Sequence, residues 1–186
     1  MTAGETGPSP WARRLGFGGL IPFVGLAAAL WLARPGDAPL ANLALLGYGA
    51  IIASFLGALH WGLVMRERCC SPVTSLLWGV VPGLLGWAAL LLGQAPGLLL
   101  MAALLWACFV VDRVLYPRYQ LRAWLPMRLQ LTLVASISCL AGVAALGTKF
   151  DAIAELRWAK IVATGKTGPR DATQAQLAAT WPCTAT

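Results

Sequence analysis

The chain has 186 residues, a net charge of +7, 59% hydrophobic and 11% charged residues, and a mean hydropathy of +0.71. That balance excludes a soluble globular domain, and the sparse positive charge is not a nucleic-acid footprint. The length suits one membrane domain and leaves no room for a separate soluble one.

Residues 1–14 begin Gly/Pro/Thr-rich and predict a mobile N-terminal segment ending at Arg13-Arg14. Beyond it, five apolar stretches are each long enough to cross a bilayer, which takes about 18 residues or more. They are Leu15–Ala33, Leu40–Met65, Pro72–Leu92, Leu98–Leu115 and Met127–Gly147. The reading is an all-α, polytopic, five-transmembrane-helix bundle over residues 15–147. The first stretch is too long for an export-signal core and reads as a retained anchor. Pro22 lies within it, removes an amide donor and frees the carbonyl of Gly18, so a kink is expected there.

The second span carries the most specific pattern. Ala50, Ser54, Ala58 and Gly62 form one row at four-residue spacing, and Gly49, Ala53 and Gly57 form another beside it. Small residues so spaced let helices approach closely where lipid provides no hydrophobic drive, so this face turns toward protein. His60, followed by Trp61, is the chain's single histidine. At 100° per residue it falls within about 20° of Gly49 and Ala53, on the packed side. A polar group inside the bilayer is a functional candidate by default. The chemistry open to His60 is proton relay, axial ligation of haem or chlorophyll, or a hydrogen bond to a quinone or partner. The structural alternative is an interhelical hydrogen bond that locks the bundle.

Ser71-Pro72 gives the third span an N-cap and a first-turn proline, and Pro82 marks a second expected kink. Gln94-Ala95-Pro96-Gly97 is a turn by composition and makes spans three and four a hairpin. Asp112 and Arg113 end span four; Asp112 and Tyr116, four apart, share a helical face and can hydrogen-bond. Read structurally, these three are membrane-edge anchors, with Asp112 met by a neighbouring loop arginine. Residues 148–163 suggest a helix lying on the interface, and residues 164–186 a tail that is disordered or ordered by a partner.

The five cysteines contain no C-x-x-C pair and have one histidine to assist them, which disfavours a structural metal site. There is no Walker loop, dinucleotide-binding glycine motif, H-E-x-x-H or G-x-S-x-G. Buried acids are too few for a typical ion-coupled transporter. If five helices alternate, Arg13, Arg14, Arg66, Arg68, Arg113, Arg118, Arg122 and Arg128 share one face. Short cationic loops stay inside, so the N-terminus is expected on the cytoplasmic (or matrix) side.

Gly19-Leu20-Ile21-Pro22-Phe23, the block Tyr48–Gly57 with His60-Trp61-Gly62, and Asp112-Arg113 near Tyr116 resemble a domain-of-unknown-function family of membrane proteins. That family occurs in proteobacteria and includes the animal mitochondrial transmembrane protein sixty-nine. The resemblance runs from about Gly16 to Leu146, with Ala58 standing where the family pattern has a second glycine. It implies a five-helix protein of the bacterial or mitochondrial inner membrane and brings no activity. The expectation is a non-enzymatic accessory or assembly subunit of a respiratory or photosynthetic complex. No cofactor is required, and the partners are lipid and membrane-protein subunits. A small transporter or channel, or a haem-, pigment- or quinone-binding protein using His60, are the alternatives.

Overall fold

A computed structural model describes residues 7–34, 36–66 and 72–164 of the chain, with side chains over most of that range. The expectations for Arg68, for the Ser71 cap and for residues 165–186 fall outside the described residues. The described elements are helical, and five helical stretches are long and apolar enough to cross a membrane.

Helix α1 (Pro10–Gly18) begins five residues before the predicted first span, so residues 10–14 of the segment expected to be mobile are helical. The local reason is a cap: Ser9 Oγ accepts from the Ala12 amide at 3.2 Å, and Pro10 occupies the first turn, where no donor is needed. Helix α2 (Leu20–Leu32) follows after a one-residue interruption at Gly19. Pro22 therefore lies in the first turn of α2, and the break falls just ahead of it. The Tyr48 hydroxyl donates to the Gly19 carbonyl at 2.8 Å, so part of the exposed backbone at the break finds a partner.

Helix α3 (Ala38–Arg66) is followed by α4 (Pro72–Leu92), which runs through Pro82 as one helix. Gly93, at φ +60°, lets the chain reverse at once, and α5 (Gln94–Leu115) starts on the next residue. The turn is thus tighter than Gln94–Gly97. Two short 3₁₀ turns, Tyr116–Tyr119 and Arg122–Trp124, lead into α6 (Leu125–Thr164).

The chain divides into two compact units between Gly147 and Thr148. The first is the bundle. Its core joins Phe23 and Leu30 of α2, Leu45 and Ala53 of α3, Leu98, Met101 and Leu105 of α5, and Cys139 of α6. The outward surface stays apolar, with Ile51, Leu77, Leu84, Trp87 and Leu91 all exposed, as a lipid-facing wall requires. In the second unit, residues 148–164 are helical.

A candidate site at one end of the bundle

The small-residue rows of α3 are used mostly inside the chain. A Cβ at Gly57 would meet the Gly79 carbonyl oxygen at 2.4 Å, and one at Gly86 would meet Ala50 Cα at 3.1 Å. Backbone contact this close needs glycine on α3 and α4 together. A Cβ at Gly49 would meet Met101 of α5 at 2.9 Å, and Ala53 is fully buried. Trp61 lies over Gly79 and donates its Nε1 hydrogen to the Leu76 carbonyl at 3.0 Å. The exposed remainder is Ser54, Ala58 and Gly62. Ser54 and Ala58 border a shallow groove of about 350 Å³ that also touches Trp61, Gly83 and Leu84.

The buried polar centre brings together residues from three helices. His60 is 2% exposed, Asp112 1% and Arg128 8%. Arg128 donates Nε–H to Asp112 Oδ2 at 2.8 Å, and its Nη2 group donates to the same oxygen. The other carboxylate oxygen, Oδ1, lies 3.5 Å from His60 Nε2. His60 Nδ1 is 3.2 Å from the Leu56 carbonyl, one turn back on α3.

His60 Nε2 has no hydrogen-bond partner among the described residues, and it faces the Asp112 carboxylate.

The sequence placed Asp112 and His60 as separate candidates and offered Asp112 either Tyr116 or a neighbouring loop arginine as partner. The structure joins Asp112 to Arg128, one of the arginines around that loop, and sets it against His60, while Tyr116 is buried one turn away. Arg128 was counted only as a loop charge, and its one signal was an acid at a span end that needed a cation. Arg113 is exposed, as an anchor is. Cys108 and Cys139 are buried in the core. Among the described residues no group of three His, Cys, Asp or Glu side chains converges to hold a metal.

Beside the cluster lies a cavity of about 360 Å³ between α1, α2, α3, α5 and α6. Its walls are apolar, with Leu20, Phe23, Ile52 and Leu105 among them; Tyr116, Trp124 and Arg128 stand at one end and Thr132 along α6. Leu15 and Phe55, both more than half exposed, border it where it opens to the lipid side.

Fold and site together define a polytopic helical membrane protein with a buried ionic cluster near one end of its spans. The model of the family described as "Protein of unknown function (DUF3429)" matches residues 8–144, and the chain belongs to that family. It is also 43% identical over 89 residues to Transmembrane protein 69 of Xenopus tropicalis, across 45% of this chain and 33% of the relative. The matched stretch is therefore about a third of that relative's length. No solved structure matches the chain.

Proposed function

We propose that this protein is a non-enzymatic accessory or assembly subunit of a larger complex in the bacterial or mitochondrial inner membrane, respiratory or photosynthetic. The observation that carries the reading is the exposed stretch of the α3 small-residue row. Ser54 and Ala58 edge a groove whose floor includes Gly79 and Gly83, and Gly62 continues the row. Small residues at a groove permit the close helix approach by which membrane subunits associate. The ionisable groups buried inside the bundle are engaged with one another, which suits a scaffold better than a reaction centre. Gentle-detergent purification of the tagged full chain, with native mass and identification of retained proteins, tests this. A stoichiometric complex that is lost in Ala58→Leu supports it; a lone chain under several mild detergents overturns it.

A small transporter is the second reading, favoured by the helix break at Gly18–Gly19 beside the cavity. Flux lost in His60→Ala with assembly intact would favour it. Axial ligation of haem or chlorophyll fits this geometry poorly. His60 Nε2, the nitrogen that would ligate while Nδ1 is held by the Leu56 carbonyl, faces the Asp112 carboxylate rather than open space.

A further inference from the structure

The cavity runs along the helices rather than across them. Its α6 lining extends from Met127 to Ala135 and its α3 lining from Ile52 to Leu59. At 1.5 Å per residue the α6 wall alone spans about 12 Å. One end is polar and shallow: Ala12 next to Arg13, Tyr116, Trp124 and Arg128 all sit within a few residues of a span end. The other end, at Phe23, Ile52 and Ala135, is deep and apolar.

Charge has the same polarity. At that end of the bundle Arg13, Arg14, Arg113, Arg118 and Arg122 are exposed, and the one acid among the described residues there is Asp112. Asp112 is already bound by Arg128, so the exposed charge at that end is positive. A cavity of this size is at the lower end for bound organic molecules, about 300–1,000 Å³, and its mouth faces lipid.

We propose that this cavity holds one acyl chain of an anionic phospholipid drawn from the surrounding leaflet, with the headgroup phosphate among Arg128, Tyr116 and the rim arginines. The apolar walls take the chain and the cationic end selects the headgroup. A neutral quinone would fill the apolar part but would leave the positive end unanswered. The site stands independently of any partner complex.

The test uses the full-length chain in nanodiscs of equimolar phosphatidylglycerol and phosphatidylcholine, released and weighed by native mass spectrometry. One arginine at an anionic surface contributes about 1 kcal/mol, or about fivefold. The expected result is one retained phosphatidylglycerol per chain, favoured by at least about fivefold over phosphatidylcholine. Ile52→Trp, which fills the apolar half without touching the cluster, should abolish retention. Arg128→Gln should keep a lipid but bring the preference toward unity. Equal retention of both lipids, undiminished retention in Ile52→Trp, or a co-purifying quinone in place of lipid overturns the proposal. Should Arg128→Gln fail to fold, the wild-type preference and Ile52→Trp still decide it.

Discussion

Asp112 accepts from Arg128 through one oxygen and faces His60 with the other, so it is the one anion between two basic side chains from two other helices. Burying ions is costly, and the cluster persists because each charge is met. Asp112→Asn keeps the shape but removes the charge opposite Arg128. Leaving such a cation buried and uncompensated costs about 3–5 kcal/mol. SDS-driven unfolding of the purified chain in mixed micelles should show that loss. Asp112→Asn combined with Arg128→Met should recover most of it, because no charge is then stranded. If the double substitution is as unstable as the sum of the singles, the pair is not acting as a unit. Sequence reasoning found two of the three members, since a lone histidine and a lone acid in apolar runs stand out. It offered Asp112 a loop arginine without singling out Arg128, because two short 3₁₀ turns and two prolines separate Arg128 from α5 and loop arginines are ordinary in membrane proteins. Only the fold shows that α6 returns it to Asp112.

At the scale of the element, α3 and α4 touch through glycine. Gly57 leaves no space for a side chain, whereas a Cβ at Gly62 would meet nothing within 4 Å. Both glycines sit in the same helix, so the intrinsic helix preference for alanine is common to the two substitutions. Gly62→Ala should therefore be neutral or stabilising by up to about 1 kcal/mol. Gly57→Ala should cost about 1–3 kcal/mol, because backbone rather than a flexible side chain must move. The same micelle unfolding assay checks both, and equal effects would sink the close α3–α4 contact. The span positions were legible because hydropathy over about 20 residues is a strong signal. What hydropathy could not show is which neighbour a small-residue face meets. The rows on α3 read as a surface for protein in general; most of that surface is covered by α4 and α5 of the same chain. Element ends were the other weak point. The helix at Pro10 depends on a single serine cap, whereas the interruption at Gly19 falls beside Gly18, whose carbonyl Pro22 frees and where a kink was expected.

For the whole molecule, the distribution of arginine sets an orientation that bears directly on the cluster and the cavity. With five spans the two ends of the bundle alternate, and Arg13, Arg14, Arg66, Arg113, Arg118, Arg122 and Arg128 all fall at one of them. The opposite side has Arg34 accompanied by Asp37, and the α4–α5 turn carries no charge. Since cationic short loops are retained on the cytoplasmic side, that end should face inward. His60 lies six residues from the end of α3, Asp112 three from the end of α5 and Arg128 three from the start of α6, so all three belong to the inner half of the bundle. Alkaline phosphatase, active only outside the cytoplasm, should be inactive when fused after Arg66 and active when fused after Gln94 in a bacterial host. The reverse pattern would refute this orientation and would also move the cavity mouth to the outer leaflet. The lipid experiment does not depend on orientation, because both leaflets of the nanodisc have the same composition. The two measurements therefore fail separately: inverted fusions with retained phosphatidylglycerol would mean that the arginines select a lipid without having set the topology.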